Sequence, residues 1–162
     1  MFQQVLLFMV ASYTHPEVES TATSDAVHAL RCAAAHVEHT LARTLDSFGL
    51  STAQFAVLQV MGEAAEEKLG CGEIGRRLAA RAPDVTRLLD RLESVGLVAR
   101  KRDEQDRRVV HTHITAAGLE LLEKAVPMVR AAEEQTLGAL ALVDRQHLAS
   151  LLKSVHYNCP GN

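Results

Sequence analysis

Apolar residues recur at helical spacing through most of the chain. Between residues 27 and 48 they lie three or four positions apart, the spacing of one helix face, at Val27, Leu30, Ala34, Val37, Leu41, Leu45 and Phe48. Ser24 or Asp25 can cap the start of this helix, and Gly49 is a natural stop. The polar stretch from His15 to Ser24 contains many turn-forming residues, so we expect it to separate the helix from an apolar leader.

The middle of the chain predicts three shorter helices. Ser51 opens the first, which has an inner face of Phe55, Leu58, Met61 and Gly62, and the second runs from about Gly72 to Ala80. Pro83 suits the first position of the third helix, because its missing N–H costs nothing there. That helix ends at Gly96 and has an apolar face of Val85, Leu88, Leu89, Leu92 and Val95. Its polar face carries Pro83, Thr86, Arg87, Asp90, Arg91 and Ser94.

The pattern then changes to two short strands and returns to helices. Residues 97–102 and 107–114 are predicted strands around a polar tip. Thr115 caps a further helix, which Pro127 is expected to kink, and a last helix runs from about Asp144 to Tyr157. The predicted fold class is mainly α with a small β hairpin. The first helix and the last two carry more apolar surface than a small core needs, so we expect them to pair between two chains.

Length and cysteine content fit a single cytoplasmic domain. A chain of 162 residues can bury a core without disulfides or metals. Its three cysteines, Cys32, Cys71 and Cys159, are far apart and odd in number, which favours a reducing compartment. The apolar leader, residues 1–11, lacks a preceding positive charge and is too short to span a membrane. We favour a segment that packs on a partner chain over an artefact of the chosen start.

The formal net charge of −3 hides a strong segregation of charge. Between Arg76 and Arg108 there are ten basic and six acidic residues, a net charge of +4, which leaves −7 for the rest. These basic residues fall on the polar face of one helix and on a two-stranded ribbon, two kinds of element that fit DNA grooves. Aromatic residues make up only 4%, which argues against stacking on single strands and favours duplex DNA.

Several segments together resemble the MarR family of bacterial winged helix-turn-helix regulators. They are VTRLLDRLE at residues 85–93, GLV at 96–98, the basic ARKRDEQDRRV at 99–109 and ITAAG at 114–118. The most specific element is the D-x-R signature of the wing, Asp106-Arg107-Arg108. The resemblance extends from about Ala26 to Val155.

The resemblance implies a winged helix-turn-helix domain flanked by terminal dimerisation helices. Residues 51–115 would bind DNA, residues 24–50 and 116–157 would form the helical dimerisation region, and residues 1–23 would be a leader and linker that packs on the dimer. The implied partners are a second copy of the chain, a palindromic double-stranded operator and a small-molecule effector. No membrane, cofactor, metal or catalytic residue is implied.

The resemblance also implies roles for individual residues. Pro83, Thr86, Arg87 and Arg91 would face the major groove, and Asp90 on the same face is expected to pair with a neighbouring arginine. Arg108 would enter the minor groove, where a flat guanidinium suits the O2 and N3 acceptors, and Asp106 would hold it. Phosphate contacts that set register but not sequence are expected from Arg76, Arg77, Arg102 and Arg107. The expected function is a cytoplasmic repressor released by a small ligand, with phenols among the candidates.

Three other signals point to different chemistry. Gly70 to Gly75 spells G-x-G-x-x-G, with Asp90 twenty residues after the first glycine, as in a dinucleotide-dependent enzyme. The preceding segment is charged rather than a buried strand, which argues against that interpretation. The pairs His36 with His39 and His111 with His113 suggest a metal sensor, and Cys71 at a helix start suggests a redox sensor. For each of them an ordinary structural role is favoured.

Overall fold

The computed structural model describes residues 16–65, 69–78, 84–102 and 110–157. In chain order the elements are α1 (Pro16–Asp46), α2 (Thr52–Glu63), α3 (Cys71–Arg77), α4 (Val85–Ser94), β1 (Val98–Arg102), β2 (Val110–Ile114), α5 (Ala116–Leu137) and α6 (Leu142–Tyr157). The predicted class, mainly α with one small antiparallel sheet, is confirmed. Within the described residues, no helix is long and apolar enough to cross a membrane.

The chain forms two compact units that divide within α1, between Glu38 and His39. In the first unit, the described helix exposes Val27 and Leu30. The second unit contains the end of α1 and all the remaining elements. It holds the buried apolar core, whose largest fully buried side chains are Leu45, Leu58, Met61, Ile74, Leu89, Leu92, Val57 and Val98.

Helix α2 shows how local sequence fixes a boundary. Ser51 accepts a hydrogen bond from the Gln54 N–H at 3.2 Å, and the Gln54 side chain accepts one from the Ser51 N–H at 2.9 Å. This reciprocal capping box satisfies two N–H groups that have no partner inside the helix. The predicted start at Ser51 is confirmed, and the predicted inner residues Phe55, Leu58 and Met61 are buried.

The hairpin is antiparallel, with Val98 opposite Ile114 and Arg102 opposite Val110. Its second strand also pairs with the segment before α3, because the Thr112 N–H donates to the Leu69 carbonyl at 2.8 Å. Thr112 is buried, and so is Val98. The base of the hairpin is therefore anchored to the helical core.

The start of α5 is fastened to the turn before the hairpin. The Thr115 hydroxyl caps α5 by accepting from the Gly118 N–H at 3.1 Å, and it also donates to the Gly96 carbonyl at 2.7 Å. A Cβ at Gly118 would overlap the carbonyl oxygen of Leu97 and lie 2.7 Å from Ile114 Cγ1. The I-T-A-A-G segment thus combines a helix cap with a close approach that only glycine permits.

Helix α1 begins earlier than predicted. The stretch expected to form turns up to Ser24 is helical from Pro16 onward, while residues 1–15 lie outside the described part of the chain. Proline is accepted in the first helical turn, because its missing N–H has no partner there in any case. The Ser and Thr residues that follow each lower helix propensity by less than about 0.7 kcal/mol, which is too little to interrupt a helix of this length.

Smaller corrections concern α3, α4 and α6. Helix α3 ends at Arg77 rather than near residue 80, since Leu78 is extended. Helix α4 starts at Val85 and not at Pro83. Asp84 is its N-cap: the backbone φ of Asp84 is +57°, and its side chain accepts from the Arg87 N–H. Val95, predicted on the inner face, lies just past the end of α4 and is 65% exposed. Helix α6 begins at residue 142, two positions before the predicted start, with Asp144 in its first turn.

Candidate nucleic-acid interface

Helix α4 presents a polar outer face and buries an apolar one. Leu88, Leu89 and Leu92 lie in the core, as the helical spacing predicts. The opposite face is exposed and carries Thr86, Arg87, Asp90, Arg91 and Ser94. An exposed polar helix face with two arginines has the shape and chemistry of an element that enters a DNA groove.

Arg87 is held near the start of α4 by the residue that caps it. Its Nε lies 2.8 Å from Asp84 Oδ2, and the two side chains are 80% and 47% exposed. An ion pair this exposed stabilises the protein by less than about 1 kcal/mol, so a DNA base or phosphate can replace the carboxylate at little cost. Arg91 and Arg102 are also exposed, and the described residues offer neither of them an ion-pair partner.

Both basic residues of α3 share one carboxylate. Glu73 Oε1 accepts from Arg77 Nε at 2.9 Å, and its other oxygen pairs with Arg76. The hydrogen bond from Arg77, together with the positive charges of both arginines, holds the pKa of Glu73 below its usual value against the opposing effect of desolvation. The side chain of Arg76 is 78% exposed. The two predicted phosphate contacts are therefore exposed but already partly neutralised by Glu73.

Arg100 occupies the junction of hairpin and helix, and its role was missed at the sequence level. Its Nη1 donates to Asp90 Oδ1 at 2.5 Å and to Glu93 Oε2 at 3.1 Å, and its Nη2 donates to the Thr86 carbonyl at 3.3 Å. The hydrogen bond to Asp90 and the two carboxylate charges raise the pKa of the Arg100 guanidinium. The expected pairing of Asp90 with an arginine is confirmed, and the partner is Arg100 of β1.

A sequence signal for Arg100 did exist. Alternation along β1 places residue 100 on the same side as Val98, which is buried. Asp90 and Glu93 are three positions apart on α4, so their side chains lie on one helix face. A basic residue on the inner side of a strand next to two carboxylates is expected to pair with them.

Four of the predicted site residues lie outside the described residues. They are Pro83, which precedes the cap of α4 in sequence, and Asp106, Arg107 and Arg108, which lie between β1 and β2 in sequence. Their assigned contacts remain predictions. Among the described residues, α4 and the hairpin bring Thr86, Asp90 and Arg100 into direct contact, whereas Arg76 and Arg77 lie on α3.

The histidine and cysteine signals have separate outcomes. Among the described residues, no group of three or more His, Cys, Asp or Glu side chains could hold a metal ion. Cys71 is partly buried at the start of α3, with its Sγ 3.5 Å from the Thr86 hydroxyl of α4. The glycine motif does not follow the Rossmann arrangement: α3 has only seven residues, and the described sheet is a two-stranded antiparallel hairpin.

The sequence matches known transcription regulators. A model of the MarR family matches residues 48–109. An uncharacterised helix-turn-helix regulator of Bacillus subtilis, YkoM, is 32% identical over 116 residues, which cover 72% of this chain and 73% of that protein.

Two solved structures are similar in both fold and sequence. A mutant of Escherichia coli MarR, crystallised with operator DNA, gives a TM-score of 0.71 at 26% identity, and the match covers 79% of this chain and 91% of that one. Bordetella bronchiseptica BpsR, whose DNA binding is regulated by 6-hydroxynicotinic acid, also gives a TM-score of 0.71 at 26% identity. That match covers 80% of this chain and 91% of the other.

Proposed function

Because this chain belongs to the MarR family of transcriptional regulators, we propose that it is a cytoplasmic, homodimeric repressor that binds a palindromic duplex operator. The observation that carries the proposal is the outer face of α4, where Thr86, Arg87 and Arg91 are exposed above a fully apolar inner face. A dimer seated on its operator blocks access to that stretch of DNA, which is the simplest route to repression.

The proposed reading surface uses three elements. Helix α4, with Pro83 before it, enters the major groove through Thr86, Arg87 and Arg91. Arg108, held by Asp106, reads the minor groove from the tip of the hairpin. The remaining cationic side chains bind phosphate oxygens on either side and fix the register; they are Arg76, Arg77, Arg102 and Arg107.

Dimerisation is supported by apolar side chains that the single chain leaves exposed. Helix α6 exposes Leu142, Val143, Leu151 and Val155, each to more than half of its full area. Exposed apolar side chains that recur along one helix are typical of a surface that packs against a partner chain. A twofold dimer would set two copies of α4 against half-sites about 34 to 36 Å apart, which is one turn of DNA.

An effector pocket is supported by a cavity of about 300 Å³ between the end of α1 and α5. It is lined by Thr40, Arg43, Thr44, Ala132 and Gln135. A guanidinium beside hydroxyl and amide groups suits a small carboxylate or phenolate. The regulation of BpsR by a hydroxylated aromatic acid supports the same ligand class here. Release would follow when the ligand favours a dimer whose two reading helices no longer match one DNA turn.

The test begins with selection of bound duplexes from a random library, followed by affinity measurements on the selected operator. Arg91→Gln is expected to weaken binding by about 1 to 3 kcal/mol and to relax the sequence preference, since Arg91 would contact bases. Lys124→Gln removes the same charge from the exposed face of α5 and should leave affinity unchanged. Failure to select any duplex, or equal losses in both variants, would contradict the proposal.

A further inference from the structure

One guanidinium ties the hairpin to the proposed reading helix. Arg100, in the middle of β1, makes hydrogen bonds with Asp90, Glu93 and the carbonyl of Thr86, which span most of the length of α4. Its backbone N–H also donates to Glu93 Oε1 at 3.1 Å. Strand and helix are therefore joined through both the main chain and the side chain of one residue.

The burial of Arg100 distinguishes it from Arg87 and Arg76, two exposed arginines of this surface. Its side chain is 24% exposed, against 80% for Arg87 and 78% for Arg76. Both terminal nitrogens already donate to protein oxygens. The guanidinium is therefore engaged in internal contacts rather than presented to phosphate.

The two acids that Arg100 binds lie beside groups proposed to meet DNA. Asp90 is 54% exposed and shares the outer face of α4 with Thr86, Arg87 and Arg91. An unpaired carboxylate at that place would repel the phosphates, and the repulsion would be strongest at low salt. With Arg100 between them, Asp90 and Glu93 contribute far less negative potential to the surface.

We propose that Arg100 is a positioning residue for DNA recognition, which fixes the hairpin against α4 and neutralises Asp90 and Glu93, so that both elements approach the duplex as one rigid unit. This inference rests on the proposed DNA-binding function. It adds a residue that touches no DNA but sets the angle between the two elements that do. An effector would then move this unit as a whole and would not change the hairpin relative to the helix.

A double-mutant cycle on operator affinity tests the proposal. The single variants are Arg100→Gln and Asp90→Asn, and affinity is measured on the tightest duplex selected from a random library. Arg100→Gln is expected to lower affinity by about ten-fold, because it frees a carboxylate that faces DNA. Asp90→Asn in that background should recover part of the loss, because it removes the unpaired carboxylate but does not restore the link between the hairpin and α4. Asp90→Asn alone should change affinity little, since Arg100 keeps its hydrogen bonds to Glu93 and the Thr86 carbonyl. Arg100→Lys keeps the positive charge but lacks the planar guanidinium that donates to several oxygens at once. Its operator affinity should lie between those of wild type and Arg100→Gln.

The pair Arg145 and Glu134 provides the matched control. Arg145 Nη1 lies 2.8 Å from Glu134 Oε2, and its side chain is 27% exposed, close to the value for Arg100. This pair joins α5 to α6, away from the reading surface. Removal of either pair should lower the free energy of unfolding, but only the Arg100 and Asp90 cycle should show coupling in operator affinity, at protein concentrations where sedimentation gives the same oligomeric state.

The outcomes separate this inference from the function on which it rests. A wild-type protein that binds no selected duplex overturns both. A wild-type protein that binds, combined with independent effects of the two substitutions on affinity, overturns the role of Arg100 alone. If Arg100→Gln does not fold, the same cycle with Arg100→Lys decides: an effect on unfolding without coupling in affinity assigns Arg100 a structural role only.

Discussion

Gly118 lies where the start of α5 meets the segment before the hairpin, and there is no room for a side chain at this position. The carbonyl oxygen of Leu97 passes so close to Gly118 that a Cβ would overlap it. That carbonyl also accepts from the Thr115 N–H at 3.0 Å and from the Thr115 hydroxyl at 3.1 Å. It cannot retreat without loss of these hydrogen bonds.

We therefore expect Gly118→Ala to lower the free energy of unfolding by about 1 to 3 kcal/mol, the usual cost of overpacking. Gly72→Ala is the matched control. Gly72 lies in α3. Apart from its chain neighbours and the backbone of its own helix, no heavy atom of the described residues lies within 4 Å of the position that a Cβ would take. That substitution should be neutral or stabilise by up to about 1 kcal/mol through helix propensity. Denaturant unfolding measures both variants, and equal losses would show that the close approach to Leu97 is unimportant.

Helix α3 places two arginines against one carboxylate, which DNA phosphates would have to displace. Glu73 pairs with both Arg76 and Arg77, and its pKa is held below the usual value by the hydrogen bond from Arg77. Glu73 therefore stays ionised at neutral pH, and only a substitution removes its charge. If the two arginines bind phosphates, their release from Glu73 should favour DNA.

Glu73→Gln is expected to raise operator affinity roughly two- to five-fold at low salt and to steepen the salt dependence. Titrations of a selected operator over a salt series measure both effects. Glu120→Gln, which removes an exposed carboxylate from α5, is the control for a simple change in net charge. Weaker binding by Glu73→Gln would mean that the carboxylate positions the arginines for DNA instead of competing with it.

The elements themselves were largely predictable, for physical reasons that can be named. Ser51 and Thr115 cap their helices as predicted, because a hydroxyl at that position satisfies N–H groups that the helix leaves unpaired. The predicted start of α1 at Ser24 or Asp25 was wrong, because the serine and threonine residues before it are only weakly unfavourable in a helix and do not end it. The bridge from Arg100 to α4 was missed, because spacing places Arg100 on the inner side of β1 and Asp90 and Glu93 on one face of α4, but it does not show that these two faces pack together.

The whole chain combines a basic segment with apolar side chains on α6 that a single copy leaves exposed. The net charge of −3 combines a basic segment with an acidic remainder. The structure refines this division. Arg87 and Arg100 are paired with acids of the same segment, and Arg76 and Arg77 are paired with Glu73 just before it. Arg91 and Arg102 have no ion-pair partner within the described residues. Among the described residues of the basic segment, the arginines without an ion-pair partner thus lie on α4 and at the end of β1.

The exposed apolar residues of α6 lead to a prediction about assembly. Leu151→Gln should weaken the proposed dimer, because burial of a leucine contributes about 1.5 to 3 kcal/mol and a twofold interface would lose it twice. Sedimentation over a range of concentrations measures the dissociation constant. Val95→Gln is the control, since Val95 is 65% exposed, compared with 55% for Leu151, but lies at the end of the proposed reading helix. Operator binding should become dependent on protein concentration in Leu151→Gln alone, because one copy reaches only one half-site. A wild-type chain that stays monomeric while it binds the operator fully would exclude α6 as the dimer interface.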